Sequence, residues 1–212
     1  MPRQNRVTPI GDIIATPERG LFMGNRGLLH DDQGRIKRAW QLRRWLICLL
    51  EFKGRRRVVM TPGRYTELFF LDEATALAAG HRPCAECRRN RYTAFRSAWL
   101  AGNPRIIGSQ TATAVLIDDH LHAERISPDR LKRTFPAKLD DLPSGVLVKR
   151  QGHGEHAYLV WHDHLLAWSP AGYRESRVRR KQEEVLVLTP QSTVGAIRAG
   201  YTPEVHPSAG LE

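Results

Sequence analysis

A Cys-x-x-Cys placed directly behind a helix stop restricts this chain more than anything else in it. From Phe70 to Arg89 the residues run Phe-Leu-Asp-Glu-Ala-Thr-Ala-Leu-Ala-Ala-Gly-His-Arg-Pro-Cys-Ala-Glu-Cys-Arg-Arg. That order predicts the end of a strand, a short alanine-rich helix capped by Asp72 and stopped at Gly80, then Cys84 and Cys87 opening a basic helix. Two thiolates three residues apart can share one ion, because both sulfurs reach a common point at about 2.3 Å. Zinc is therefore the expected cofactor, with Cys84 and Cys87 as its ligands. Cys48 lies inside the apolar run 45–52 and reads as a packing residue rather than a ligand. His81 and His30 are the other groups considered as partners for the pair.

Phe69, Phe70, Ala76, Ala79, Gly80, Arg82, Pro83, Cys84, Cys87 and Arg88 together form an aromatic strand end followed by A-x-x-A-G-[FYH]-R-P-C-x-x-C-R. Over residues 58–91 this resembles the metal-binding domain of the Ada family of DNA alkylation-repair proteins. The resemblance implies a strand–helix–CxxC–helix module, a zinc ion and association with DNA. The family holds zinc with four cysteines and passes a methyl group from a DNA phosphotriester to one of them. Upstream of Phe69 this chain has Thr61-Pro62-Gly63-Arg64-Tyr65-Thr66-Glu67 and no cysteine pair. No methyl-accepting cysteine is expected here.

The chain has 212 residues, enough for one large or two small domains, with 41% hydrophobic and 26% charged residues, a globular balance. No window approaches a membrane span, and the opening Met1-Pro2-Arg3-Gln4-Asn5-Arg6 lacks the apolar run of a secretory signal. Three cysteines do not suggest a disulfide framework, so a reducing cytoplasm is expected. The net charge is +11, with arginines grouped at 35–44, 55–57, 82–96 and 174–181. Guanidinium forks match phosphate geometry, which makes nucleic acid the expected partner, DNA ahead of RNA. Arg26, Arg82, Arg88, Arg89, Arg91 and Arg96 are the expected phosphate contacts.

The expected fold class is α+β. Residues 1–20 read as irregular chain. A turn at 24–27 separates short strands, and 45–52, 58–60 and 67–71 extend a sheet. Helices follow at 73–79, 86–101 and 110–126, with a short fourth from Ser127-Pro128-Asp129 to 135. Strands are expected at 145–149, 157–161, 164–168 and 184–188, a charged strand edge or loop at 174–183, and a last helix after Thr189-Pro190. This suggests a mixed N-terminal half with a helical middle, 1–143, and a β-rich half, 144–212, packed on it, or the two as a single domain.

On the helix at 113–125, Asp118 and His122 share a stripe one turn apart, a spacing that lets a carboxylate orient an imidazole for proton transfer. His120 and Glu124 fall nearly opposite. Two function classes follow. One is a DNA-binding protein acting in DNA repair or modification. The other is an enzyme: a nucleic-acid hydrolase (a nuclease or base-removing glycosylase) acting through Asp118 and His122, or, as a separate alternative, a small-molecule enzyme of unspecified reaction. Gly24-Asn25-Arg26-Gly27 lacks the spacing of a nucleotide-binding P-loop and reads as a turn.

Overall fold

The computed structural model describes residues 1–55, 58–107, 113–150, 152 and 156–210. His153 and the first residues of the helix expected from 110 lie outside them. In chain order the elements are β1 (Gln4–Val7), β2 (Ile13–Ala15), β3 (Phe22–Asn25), β4 (Leu46–Cys48), β5 (Leu68–Phe70), α1 (Glu73–Ala78), β6 (Arg82–Pro83), α2 (Arg89–Gly102), α3 (Pro104–Ile107), α4 (Ala114–Arg125), β7 (Phe135–Lys138), β8 (Leu147–Arg150), β9 (Ala157–Trp161), β10 (His164–Ser169), β11 (Gly172–Val178), β12 (Glu184–Val187) and α5 (Gln191–Arg198).

They form two six-stranded sheets, ordered β2-β1-β5-β3-β4-β6 and β11-β10-β9-β8-β12-β7. The first is mixed, with β1 parallel to β5 and β4 parallel to β6. The second is antiparallel throughout. One hydrophobic core runs from Phe22, Ile47, Leu68 and Phe70 of the first sheet, through Phe95, Trp99, Ile117 and Leu121 of α2 and α4, to Val148, Val160 and Val187 of the second. It crosses residue 143, and β7 pairs with β12, so the two expected halves share both a core and a sheet.

The centre of the molecule follows from α1. Asp72 accepts the Thr75 N–H at 2.8 Å as N-cap, and every residue of the helix is buried. Small alanines let it lie close against its neighbours. At its end the Gly80 N–H bonds Leu77 C=O and the His81 N–H bonds Ala76 C=O, the paired bonds of a Schellman stop. Gly80 has φ +93°, and a Cβ there would meet Arg125 Cδ at 2.5 Å, so both conformation and space demand glycine. In α2 the seam expected from Tyr92, Phe95 and Trp99 faces inward, with Phe95 and Trp99 fully buried. Gly102 comes so close to α5 that a Cβ would meet Gly195 O at 2.2 Å.

Several expectations give way to the structure. Residues 1–20 contain the β1–β2 hairpin on the sheet edge. Residues 58–60 are not a strand, since Met60 turns the chain at φ +59°. The segment from Ser127 forms no helix. Its Ser-Pro start resembles a helix cap, but Arg130 takes φ +62°, Leu131 stays exposed, and no apolar face is available for packing to reward. The chain enters β7 instead, an edge strand where Pro136 is tolerated. β4 keeps only three residues of the apolar run, leaving Leu49 and Leu50 exposed. The hairpin expected around His162-Asp163 is present as β9 and β10, with His162 at φ +48°. The charged segment after residue 173 lies on the outer strand β11, where charge discourages edge pairing.

Arginines build much of the interior. The Trp45 indole is held between the guanidiniums of Arg26 and Arg125, 4.0 and 3.9 Å from its centre. His81 lies against Trp45 and Phe70, and its Nε2 accepts from Arg26 Nε at 3.2 Å. Burial, then the charges of Arg26 and Arg125, push its pKa well below the ordinary value. The folded state keeps His81 neutral, whereas the unfolded chain protonates it near pH 6.5. Stability should therefore fall as pH drops below about 6.5, by about 1.4 kcal/mol per pH unit for this one proton. Denaturation midpoints of wild type and His81→Gln between pH 7.5 and 5 check this, and the variant should show the shallower decline.

Candidate metal centre

Cys48 closes β4, Cys84 follows β6 and Cys87 lies one turn later, before α2. The parallel β4–β6 pairing continues past β6, because the Cys84 N–H donates to Ile47 C=O at 2.9 Å. That backbone bond sets Cys84 beside Cys48. The three sulfurs lie within 4.8 Å of one another. Sulfurs around a tetrahedral zinc ion are about 3.8 Å apart, so small side-chain rotations suffice to close them on an ion.

The expectation that Cys48 is only a packing residue is thus corrected. The apolar run places it in a strand, as read, but it is the strand's last residue and faces the Cys84–Cys87 turn. The expected pair gains a third thiol. His81 and His30 do not join it: His81 bonds Arg26, and His30 Nδ1 bonds Thr66 Oγ1 at 2.6 Å.

Electrostatics prepare the sulfurs for an ion. The Cys48 thiol hydrogen-bonds to both partners, which drives its own pKa upward. The same bond draws Cys84 down to about 5 against its burial, helped by the backbone N–H groups of Cys87 and Glu86, the latter 3.4 Å from the sulfur. Cys87 is lowered too, first by Cys48 and further by the Leu49 N–H. Cys84 is thus held as a thiolate at neutral pH, and Cys87 is shifted in the same direction. Among the described residues the cluster has three members, one short of a closed zinc site. Beside the sulfurs lies a cavity of about 420 Å³ lined by Met23, Asn25, Phe52, Tyr65, Glu67 and Phe69, with Glu51 and Glu86 at its side. Room for a fourth, exogenous ligand is therefore adjacent to the sulfurs.

The other expected site residues are placed differently. Arg26, Arg82 and Arg88 are 1%, 2% and 4% exposed. Arg26 also donates to Gly11 and Ala39 carbonyls, so 24–27 is no phosphate loop. Arg88 bonds Glu73 at 2.9 Å and Glu204 at 2.7 Å, and half-buried Arg91 bonds Glu73 and Thr202. Interior partners hold these four, where phosphate contact was expected. Arg96 is half-buried and Arg89 is exposed.

Asp118 and His122 share the inner side of α4 but are not paired. Both oxygens of Asp118 take the Arg82 fork, at 2.8 and 2.7 Å, and burial nonetheless raises its pKa. His122 packs edge-on against Trp40, with Arg125 Nη2 3.2 Å from its Nδ1. Its pKa is lowered by burial, then by Arg125 and Arg43, the reverse of the rise expected from a neighbouring carboxylate. The opposite face carries the pair that does meet: His120 Nε2 lies 3.2 Å from Glu124 Oε1, beside a cavity of about 670 Å³. Glu124 also takes the Ser192 N–H and hydroxyl and so ties the start of α5 to α4.

No family model, curated protein or solved structure matches this chain. No helix among the described residues is long and apolar enough to cross a membrane.

Proposed function

We propose that this chain is a nucleic-acid-binding protein built around a three-thiolate zinc centre, acting in the repair or modification of DNA. The observation that carries the reading is the convergence of Cys48, Cys84 and Cys87 beside a cavity. The likeness of residues 58–91 to the Ada domain points the same way. Zinc held there would tie β4 to the start of α2 and supply a Lewis acid facing the cavity. With its charge counted, three thiolates on a divalent ion form a group of net charge −1, less costly to bury than free thiolates.

The hydrolase reading through Asp118 and His122 is disfavoured, because Arg82 occupies the carboxylate and, among the described residues, the histidine contacts Trp40 and Arg125 rather than a carboxylate. Chemistry on a substrate, if the chain performs any, belongs at the thiolates.

The net charge of +11 supports a polyanionic partner. Its contacts shift to exposed residues: Lys37, Arg38 and Arg44 on the segment leading into β4, Arg64, which borders an adjoining pocket with Tyr65 and Glu67, and Arg89, two residues after Cys87. Two measurements test the reading. Metal analysis of the purified protein should give one zinc per chain. Affinity for duplex and single-stranded DNA should fall steeply with salt, and a Lys37→Ala/Arg38→Ala/Arg44→Ala variant should flatten the log–log slope by about 0.9 per lost duplex contact. Absence of zinc together with absence of DNA or RNA association at low salt would overturn the proposal.

A further inference from the structure

We propose that the cavity beside the thiolates receives a single nucleobase bearing an amino group (adenine, cytosine or guanine), bound by its ring and its hydrogen-bonding edge. The inference rests on the proposed function, which places a metal and a nucleic acid at this face, and it names what enters the site.

The first sheet has two unlike faces. Strand alternation sends Phe22, Ile47, Leu68 and Phe70 into the core. On the other face, cross-strand pairing aligns Phe69 with Met23 and Met23 with Cys48. Two residues along, Asn25 faces Leu46, and Glu67 precedes β5 on the same side. One row is thus apolar and ends in the metal-binding sulfur. The next row sets the polar Asn25 and Glu67 beside Leu46. Phe52 and Tyr65 come from the segment between β4 and β5 that borders the cavity. An apolar wall meeting a few fixed polar groups is the usual form of a small-ligand site, and about 420 Å³ is within the range of such sites.

Charge selects among ligands. Three thiolates on a divalent ion leave one negative charge, and Glu51 and Glu67 add to it along the lining. Among the described residues the cation in the lining is Arg55, bound to Glu86 at 2.9 Å. A phosphate is repelled from such a floor, whereas a neutral ring is not. Glu67 is buried, and its Oε2 takes the Met60 N–H at 2.7 Å, so the carboxylate is fixed in place. An ionised carboxylate only accepts, while the Asn25 amide both donates and accepts. Together they match an edge carrying an amino donor beside an acceptor, the pattern of adenine and cytosine, while guanine offers the carboxylate its adjacent amino and imino donors. Thymine sets its imino donor between two carbonyl oxygens and meets the carboxylate with repulsion. Exposed Arg64 and Arg89 would then hold the sugar-phosphate chain outside, as for a base turned out of its stack.

The test uses zinc-loaded full-length protein with methionine methyl groups isotopically labelled. Three methionines give three signals, of which Met23 reports on the cavity and Met1 serves as control. Adenosine, cytidine and guanosine are titrated singly, with thymidine for comparison. At least one of the three should shift Met23 along a saturable curve below about 10 mM, and thymidine should not. Asn25→Ala and Glu67→Gln should each weaken that binding roughly tenfold, with zinc content and the salt dependence of DNA affinity unchanged. Asn25→Ala removes a half-buried side chain and keeps the test valid if Glu67→Gln disturbs the Met60 turn. No shift with any nucleoside, thymidine binding as well as the others, or unaltered affinity in both variants overturns the inference. Each of these outcomes leaves zinc and DNA binding intact and is therefore distinct from failure of the proposed function.

Discussion

Cys48→Ser is expected to abolish the proposed zinc binding. A closed four-ligand site binds zinc with about 10–16 kcal/mol, so one ligand is worth on the order of 3 kcal/mol, roughly a hundredfold in affinity. A site with only three protein ligands has little margin for such a loss. Metal content measured after gel filtration should fall from one per chain to near zero. Because the ion binds the folded state alone, its loss also lowers stability. At a thousandfold excess over Kd the bound ion contributes about 4 kcal/mol, and its removal lowers Tm on the order of 10 °C in a chain of this size. A chelator acting on wild type should reproduce that shift and leave Cys48→Ser unmoved.

Acid should release the ion with a particular pH dependence. With Cys84 drawn down to about 5 and Cys48 driven upward, the Cys48 proton is one that the ion must displace at neutral pH. Affinity should drop at least about tenfold per pH unit above pH 5 and more steeply below it, where Cys84 also takes up a proton. Full zinc content in Cys48→Ser would return Cys48 to a packing role and leave the site to the Cys84–Cys87 pair.

The sequence already displayed the parts of this centre whose causes are local. Asp72 as cap, Gly80 as stop and the thiol spacing after Pro83 each depend on neighbours within a few residues, and all three are found as expected. The hairpin around His162-Asp163 and the helix after Pro190 were legible for the same reason. The third thiol was not, because nothing near Cys48 in sequence indicates that β4 runs parallel to β6. A parallel pairing carries no turn signal, and its register is set here by the bonds from the Arg82 N–H to Trp45 and from the Cys84 N–H to Ile47. The arginines misled in the opposite direction. A guanidinium is strongly polar in a composition count, yet Arg26 and Arg125 lie flat on Trp45 and Arg82 is matched by Asp118, and these partners lie far away in sequence. The helix stripe on α4 was drawn correctly in angle. Its chemistry depended on Arg82, which helical periodicity cannot place.

Arg88→Ala should destabilise the protein severely, while Arg89→Ala should leave stability almost unchanged. The two residues adjoin at the start of α2, and both were expected to contact phosphate. Arg88 lies over the Phe22 ring at 4.3 Å and bonds Glu73, whose side chain is fully buried. Glu73 is also bound by Arg91 at 2.6 Å, by the Tyr201 hydroxyl at 2.6 Å and by the Glu204 N–H at 2.9 Å. That network joins α1, α2 and the C-terminal segment. Removing one partner from a buried ion pair costs up to about 3–5 kcal/mol, of which the Arg91 pairing on the other Glu73 oxygen offsets a part. Losing the stem that packs on Phe22 adds to this. Arg89 is solvent-exposed, and a surface substitution of this kind stays within about 0.5 kcal/mol. Urea denaturation of both variants at pH 7 measures the difference in midpoint. DNA affinity separates the same residues in the other direction: Arg89→Ala should reduce the salt slope by up to about 0.9, the share of one duplex contact, whereas folded Arg88→Ala should keep the wild-type slope. Equal stability of the two variants would place Arg88 at the surface and reinstate it as a phosphate ligand.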